Sequence, residues 1–231
     1  MAYAGGEVGA LAPIVAAIEH RGLAARGVFA VDDADQAAGL DGLAALVLVG
    51  AAGRRGWDAF AASPEARDGG ADPLDRWSRR IVDGLAAELG AQALYPFGGP
   101  PYWPFQRWAM RAEPVYASPL GLLIHSDYGL WHSYRGALGF AQPIAIPPLE
   151  CRASPCETCA SRPCLSACPV RAFASGGYDV AACAAHLRAE EGARCMEGGC
   201  LARRACPIGA EHAHSPAQAR FHMRAFLAAR V

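Results

Sequence analysis

The sequence predicts an α/β domain followed by a smaller domain built around cysteine residues. Segments with helical and strand-like apolar periodicity alternate as far as Phe140, which is typical of an α/β fold. Eight of the nine cysteines then lie between Cys156 and Cys206. Prolines 143, 147 and 148 separate the two regions. We therefore predict domains over residues 1–148 and 149–231.

The pattern of apolar residues predicts the order of helices and strands. In the first domain we expect helices over 8–21 and 74–89, with strands over 27–31, 43–49, 91–97 and 121–125. Residues 128–140 fit either a strand or a strand with a short helix. In the second domain we expect a helix over 179–191 between two runs of cysteines, and a C-terminal helix over 215–230.

Composition excludes several classes of protein. With 231 residues, 53% of them hydrophobic, the chain is long enough to bury a core, yet no apolar run is long enough to cross a bilayer. All 21 basic residues are arginine, which excludes lysine Schiff-base chemistry and the phosphate-binding lysine of a P-loop. The first residues do not resemble a secretory signal, so we expect a cytoplasmic protein with few disulfides.

Charge is divided unevenly along the chain. Residues 1–150 carry an excess of acidic side chains, and residues 151–231 carry an excess of arginine. Opposite charges favour docking of the two parts on each other, or of the second part on an acidic partner such as a redox protein. An uneven solvated surface explains the same numbers. Nothing in the composition indicates a nucleic-acid partner.

The cysteines follow an order typical of proteins with two iron–sulfur cubanes. The first run is Cys156-x2-Cys159-x4-Cys164-x3-Cys168-Pro169, and the second is Cys183-x11-Cys195-x4-Cys200-x5-Cys206-Pro207. In two-cluster ferredoxins the cysteine before proline leaves its own run and ligates the other cluster. We therefore predict two [4Fe–4S] clusters in a ferredoxin-type domain.

The crossing rule assigns the ligands. The first cluster takes Cys156, Cys159, Cys164 and Cys206, and the second takes Cys168, Cys183, Cys195 and Cys200. Cys151 stands outside both runs and is interpreted as a spare thiol. Gly198 and Gly199 permit the tight wrap that directs backbone amides at sulfur. Two tetrahedral zinc ions are the alternative, because zinc sites typically pair short Cys-x2-4-Cys segments.

The segment from His125 to Arg135 has the composition of a pocket wall. His125, Asp127, His132 and Arg135 are the candidate catalytic residues, since histidine moves protons near neutral pH and arginine holds anionic groups. Trp131 lies among them and is a candidate for stacking on a flat ligand. An ordinary hairpin with buried aromatic residues is the alternative interpretation.

Two further segments are candidates for cofactor binding. Tyr102 and Trp103 lie in a proline-rich aromatic loop that fits a cover over a planar ligand or a lid on the core. Arg54 and Arg55 follow a predicted strand in a glycine-rich turn, where phosphate groups bind in open α/β sheets. Arg203 and Arg204, beside Cys206, either offset the charge of the thiolates or are solvated.

Taken together, the α/β segment, the stretch LLIHSDYGLWHSYRGAL and the eight-cysteine tail resemble the iron–sulfur reductases that include epoxyqueuosine reductase and the reductive dehalogenases. The resemblance implies a nitroreductase-like first domain followed by two [4Fe–4S] clusters, and a cobalamin in the first domain. The glycine-rich segment and lysine of that group have no counterpart here, where residues 118–121 read Ser-Pro-Leu-Gly.

The functional expectation is an iron–sulfur oxidoreductase that delivers electrons to a cobalamin, a flavin or a small-molecule substrate bound by the first domain. The rival is an electron carrier or partner-binding module without a catalytic site.

Overall fold

In the computed structural model, which describes residues 9–100, 102–150, 152–173 and 177–230, the chain divides into two compact units. The first unit contains residues 1–114 and 133–150, and the second contains residues 115–132 and 151–231. One junction follows Glu150, where the prolines interrupt the sequence pattern. The grouping of residues 115–132 with the cysteine-rich part has no counterpart in the sequence prediction.

The first unit combines helices with a mixed set of short and long strands. Its elements are α1 (Leu11–His20), β1 (Ala24–Ala30), α2 (Asp33–Ala37), β2 (Ala45–Ala52), α3 (Trp57–Ala61), α4 (Pro73–Leu89), β3 (Gln92–Leu94), α5 (Phe105–Ala112) and β6 (His132–Phe140). The four strands form one sheet in the order β1-β2-β6-β3. The β1–β2 and β3–β6 pairs are antiparallel.

Burial explains why this unit folds around β2. Residues Leu46 to Val49 are fully buried, as expected of an apolar run in a central strand. Val82 and Leu85 of α4 and Trp108 of α5 are also buried. Pro73 at the first turn and Gly90, left-handed at the C-cap, set the ends of α4.

The edge strand β1 contains an irregularity that α5 requires. Its register with β2 shifts between Ala25 and Val28, and Gly27 has a φ of +86°. A Cβ atom on Gly27 would lie 2.2 Å from the carbonyl oxygen of Ala112. Glycine is needed here because the C-terminal end of α5 approaches the strand backbone directly.

The second unit contains a small hairpin and short helices. Its elements are β4 (Val115–Ala117), β5 (Leu123–His125), α6 (Pro163–Ser166), α7 (Val180–Arg188), α8 (Ala193–Gly198), α9 (Leu201–Arg204) and α10 (Pro216–Ala228), with 3-10 turns at Glu190–Gly192 and Ala210–His212. Strands β4 and β5 pair antiparallel. Asp179 caps α7 by accepting from the amide of Ala182, and Ser215 caps α10 by accepting from that of Gln218.

The sequence prediction of a mixed α/β class is confirmed, and most predicted elements are present within a few residues of their expected ends. Helices α2, α3, α5, α6, α8 and α9 and strand β4 were not predicted. Within the described residues, no helix is both long and apolar enough to traverse a lipid bilayer.

Candidate metal centre

All eight cysteines of the two predicted runs belong to the second unit, and none of them forms a disulfide. Cys164, Cys183 and Cys195 lie on α6, α7 and α8, while Cys200 caps α9. The two cysteines that precede proline, Cys168 and Cys206, are both buried. Cys151 lies outside the described residues.

Four of the thiols form one electrostatic neighbourhood, here called the first thiol group: Cys156, Cys159, Cys164 and Cys206. Burial raises the pKa of the Cys156 thiol, and the neighbouring thiolates that raise it further belong to Cys206, Cys164 and Cys159. Burial likewise raises the pKa of Cys164, which also responds to Cys206 and Cys159. Cys206 therefore lies with the first run of cysteines, away from the run that contains it in sequence.

The other four thiols form the second thiol group: Cys168, Cys183, Cys195 and Cys200. Burial raises the pKa of Cys195, with further contributions from Cys168 and Cys183. It also raises the pKa of Cys200, which responds to Cys195 and Cys183. Cys168, from the first run, thus joins the cysteines of the second run.

Backbone amides are directed at the sulfur atoms in both groups. The amide of Ala172 donates to Cys168 Sγ at 3.3 Å. Backbone amides also lie near the sulfurs of Cys164, Cys195, Cys200 and Cys206 and partly offset the rise of their pKa values; they belong to Leu165, Leu201, the pair Ala202 and Arg203, and Ile208 in turn. Such hydrogen bonds stabilise thiolates and tune the potential of a bound cluster.

The thiols lie in apolar surroundings. A buried cluster of the second unit contains Leu120, Ile124, Leu130, Cys168, Ala172, Ala202 and Cys206, and most of the remaining cysteines pack against it. The hairpin β4–β5 and the turn that follows it supply the first three of these residues. A bound metal group here would be shielded from water, which controls its potential and its stability.

Across the described part of the chain, no three His, Cys, Asp or Glu side chains converge closely enough to hold a single metal ion. A tetrahedral zinc ion with Zn–S bonds of about 2.3 Å draws its four sulfurs to within about 3.8 Å of one another. A cubane binds each thiolate to a different iron and leaves the sulfurs further apart.

Two polar side chains contact the second thiol group. Tyr178 interacts electrostatically with Cys183, which helps to raise the pKa of the tyrosine, and its ring stacks on Phe173 at a centroid distance of 4.7 Å. Arg203 follows Cys200 by three residues, and the charge of Cys200 acts on its guanidinium. Tyr178 was not predicted as a site residue; its position five residues before Cys183 is the signal that sequence reasoning missed.

Three of the predicted catalytic residues lie in the second unit with mostly structural contacts. His125 is buried, and its Nδ1 accepts from the amides of Asp127 and Tyr128 at 2.9 and 3.2 Å. Asp127 is exposed and pairs with Arg152 at 2.6 Å. His132 Nε2 lies 3.0 Å from the carbonyl oxygen of Leu123. The turn after β5 is therefore held together by these side chains.

Arg135, the fourth predicted catalytic residue, lies on β6 in the first unit. Its Nη1 donates to Asp75 at 3.3 Å and its Nε donates to the carbonyl oxygen of Tyr134. Burial lowers the pKa of Arg135, and Asp75 partly offsets this effect. Arg135 and Asp75 form a partly buried ion pair.

The predicted cofactor-binding residues do not form one group of contacts. Arg55 pairs with Glu19 at 3.0 Å, Arg54 is exposed, and Tyr102 is 67% exposed. Trp103 stacks on Trp108 at 5.7 Å. Trp131 belongs to the second unit, is buried, and lies beneath the guanidinium of Arg203 at 4.5 Å.

The first unit holds a buried polar network that the sequence did not predict. Arg26 donates from Nε and Nη2 to Glu113 Oε1 at 3.2 and 2.9 Å, and the Tyr134 hydroxyl donates to the same oxygen. Burial raises the pKa of Glu113, while Arg26 lowers it in part. The only sign of this network in the sequence is an arginine and a glutamate that each interrupt a largely apolar segment.

Glu113 also lines a cavity of about 370 Å³ in the first unit. Most of its wall is apolar and comes from β1, the start of α1, the end of α5 and residues 146–150. Arg111 at its edge is already engaged by Asp35 at 2.7 Å and by the carbonyl oxygen of Ala30. The cavity could hold a small, largely apolar ligand.

No protein-family model and no curated protein matches the chain. Among solved structures, the chain is similar to the crystal structure of epoxyqueuosine reductase with a tRNA-Tyr epoxyqueuosine-modified stem loop. The likeness has a TM-score of 0.51 and 13% identity, and it covers 89% of this chain and 66% of that chain. This likeness concerns the fold. The similar structure is that of an enzyme from the group that the sequence resembles.

Proposed function

We propose that the chain is an iron–sulfur oxidoreductase whose two thiol groups each hold one [4Fe–4S] cluster in a ferredoxin-type second domain. The single observation that carries the proposal is the exchange of the two proline-preceding cysteines between the groups. Exchange of these residues is the connectivity of two-cluster ferredoxins. The fold neighbour, named as a reductase, supports the same reaction class.

The residues fit such clusters. Eight thiols in two groups of four supply the ligand number, and amide donors are directed at five of the sulfurs. When bound, the clusters supply one-electron transfer. The chain itself contributes apolar shielding by Leu120, Ile124 and Leu130, and positive charge from arginine.

Binding of metal and folding of this unit are coupled on this proposal. Burial raises the pKa values of most of the thiols, so they remain protonated at neutral pH until a metal group displaces the protons. The unit then gains stability from the bound clusters. The protein with bound clusters is therefore more resistant to unfolding than the protein without them.

The electron acceptor is proposed to be a cobalamin, a flavin or a small-molecule substrate. The resemblance stated from the sequence favours cobalamin, and we propose a nitroreductase-like first domain over residues 1–148 as its binding domain. The candidate catalytic residues His125, Asp127, His132 and Arg135, and the candidate ligand-binding residues named with them, stay part of this proposal. A redox protein is the proposed electron donor.

Nucleic acid is a second class of partner to consider. Composition does not indicate such a partner, but the fold neighbour was crystallised with a tRNA stem loop. The excess of arginine in residues 151–231 suits a phosphate backbone. Binding of a tRNA stem loop by the reconstituted protein, falling steeply as salt is raised, supports this class; binding that is equally weak at all salt concentrations excludes it.

The experiment for the acceptor is a titration of anaerobically reconstituted protein with cobalamin and, separately, with flavin mononucleotide. Saturable spectral change with one of them identifies the acceptor. Asp127→Asn should weaken that binding, while Glu157→Gln, an exposed carboxylate of the same unit, serves as the matched control. Clusters without binding of either molecule favour the rival function, an electron carrier without a catalytic site.

A further inference from the structure

Arg203 is a partly buried cation without a carboxylate partner among the described residues. Its Nε and Nη2 both donate to the carbonyl oxygen of Leu130, the first at 3.1 Å. Its guanidinium lies over the ring of Trp131 at 4.5 Å. These contacts fix the position of the charge without neutralising it, because a carbonyl oxygen and an aromatic ring carry no net charge.

The Cys200 sulfur supplies the negative charge that acts on Arg203 once the thiol has lost its proton to a bound cluster. Cys200 is the N-cap residue of α9 and precedes Arg203 by three residues, in the same turn. Burial lowers the pKa of Arg203 to about 10, and Cys200 opposes that change. The guanidinium therefore stays charged at neutral pH, beside a ligand of the second thiol group.

The remaining neighbour of Arg203 is uncharged. The ring of His214 packs edge-on against that of Trp131 at a centroid distance of 5.1 Å. The ring of His222 lies at the same centroid distance from His214 and is tilted against it. Burial lowers the pKa of His214 to about 2, and the charges of Arg203 and His222 lower it too. Its imidazole is neutral at physiological pH and does not add to the positive charge at this position.

The first thiol group has a different environment. The cation that acts on Cys156 is Arg162, and that side chain is exposed. Solvent and salt screen an exposed charge far more than a buried one. The hydroxyl of Tyr178 also lies near Cys183 of the second thiol group, and the two groups interact electrostatically. Both differences favour additional negative charge on the second group.

We propose that Arg203 is a positioning residue that raises the reduction potential of the cluster held by the second thiol group above that of the first. The inference rests on the proposed function. A cluster with four thiolates becomes more negative on reduction, and a fixed, partly buried cation stabilises that state. Arg203 thereby sets the direction of electron transfer between the two clusters, because electrons collect on the cluster beside it.

The test is a redox titration of the anaerobically reconstituted full chain, followed by electron paramagnetic resonance. In Arg203→Gln, one of the two midpoint potentials should move to a more negative value while the other stays unchanged. Arg203→Lys, which keeps the charge, should restore most of the original value. Arg204→Gln is the matched control: the adjacent arginine is exposed, donates to the carbonyl oxygen of Gly198, and should leave both potentials unchanged.

The cluster that moves is assigned in a Cys156→Ser background, which keeps only the second cluster. A shift of the remaining signal by Arg203→Gln supports the inference. The inference is wrong if the midpoint potential of the second cluster is the same with and without the Arg203 charge, in protein that holds its full iron and sulfide. That result leaves the proposed function intact.

If Arg203→Gln does not retain the second cluster, a second neutral variant is compared with it. Arg203→Met then removes the charge while keeping a long side chain against Trp131. If both neutral variants lose the second cluster and Arg203→Lys keeps it, the charge stabilises the bound cluster and the inference holds. If Arg203→Lys also loses it, the residue acts through its fork of hydrogen bonds to Leu130 and the inference is wrong. Unsubstituted protein without iron and sulfide instead contradicts the proposed function.

Discussion

The thiol of Cys206 lies beside that of Cys156, although the two residues stand at opposite ends of the cysteine-rich segment. The segment from Cys156 to Cys206 therefore forms a loop whose two ends meet at the first thiol group. Because Cys168 makes the reciprocal exchange with the second group, neither group is complete within one run of cysteines. A metal group bound at either position therefore ties both runs together.

The exchange predicts what single cysteine substitutions do. Cys206→Ser should lower the iron content from about eight to about four atoms per chain, because only one of two [4Fe–4S] clusters loses a ligand. Cys168→Ser should have the same effect on the other cluster. Iron and acid-labile sulfide analysis of anaerobically reconstituted protein measures both.

Cys151→Ser is the control for these substitutions. The sequence analysis assigns Cys151 as a spare thiol, so the variant should keep both clusters. Half the iron in Cys151→Ser, or full iron in Cys206→Ser, would mean that the ligand assignment is wrong.

Gly129 is predicted to be indispensable to the second unit. It has a φ of +56°, and a Cβ atom would lie 1.9 Å from the carbonyl oxygen of Ile208, two residues after Cys206. Gly121 also has a positive φ, +72°, but a Cβ there meets no atom within 4 Å. Gly121→Ala should therefore cost only about 1 kcal/mol of unfolding free energy, the usual penalty for a left-handed alanine.

Gly129→Ala should cost several times as much, because the backbone at Ile208 has to move. Chemical unfolding of the two variants under anaerobic conditions measures the difference. Equal losses in the two proteins would show that the close approach of the two segments does not contribute to stability.

The network of Arg26, Glu113 and Tyr134 is predicted to stabilise the first unit. Glu113→Ala leaves the Arg26 guanidinium buried without its carboxylate and should cost about 3–5 kcal/mol. Tyr134→Phe removes one hydrogen bond and should cost about 1 kcal/mol. Glu19→Ala is the matched control, since the Glu19–Arg55 pair has a similar distance of 3.0 Å but is half exposed.

The control variant should change the free energy of unfolding by less than about 1 kcal/mol, because solvent screens exposed ion pairs. Denaturant unfolding of the three variants provides the comparison. A loss in Glu19→Ala as large as that in Glu113→Ala would remove burial as the explanation.

His214 predicts a specific sensitivity to acid. Its pKa is lowered to about 2 in the folded chain, mainly by burial, and the unfolded chain has the ordinary value near 6.5. The neutral imidazole therefore contributes stability that is fully present above about pH 6.5 and is lost as the pH falls below it. The loss approaches about 1.4 kcal/mol per pH unit, because only the unfolded state binds the proton.

His214→Gln should remove this part of the acid destabilisation, and His20→Gln, at an exposed position on α1, should leave it unchanged. Unfolding free energies measured between pH 7 and pH 5 for the three proteins decide the matter. Identical pH dependence of the wild type and His214→Gln would contradict the assignment of a buried neutral imidazole.

How far the sequence predicts this structure differs between its elements. The apolar run at Leu46–Val49 and the periodicity of residues 74–89 sufficed for β2 and α4, because burial of a continuous stripe determines both. The short helices α2 and α3 have five residues each and offer too few turns for a periodic pattern. Helix α5 follows a proline-rich loop that was interpreted as irregular throughout.

The candidate site divides in a similar way. Cysteine order depends on ligand chemistry, so the grouping can be proposed from spacing and proline alone. Arg26, Glu113 and Tyr134 meet only through the tertiary fold, and no local pattern brings them together. Asp127 was proposed as a pocket residue from composition, yet it is exposed and pairs with Arg152, a contact that sequence spacing does not indicate.

The central claim is that the two thiol groups hold a pair of cubanes. The most direct measurement is iron and acid-labile sulfide analysis of anaerobically purified protein, together with electron paramagnetic resonance after reduction. Two bound cubanes give brown protein with about eight iron and eight sulfide per chain and the signals of two reduced [4Fe–4S] clusters. Colourless protein that contains zinc and no labile sulfide would contradict it.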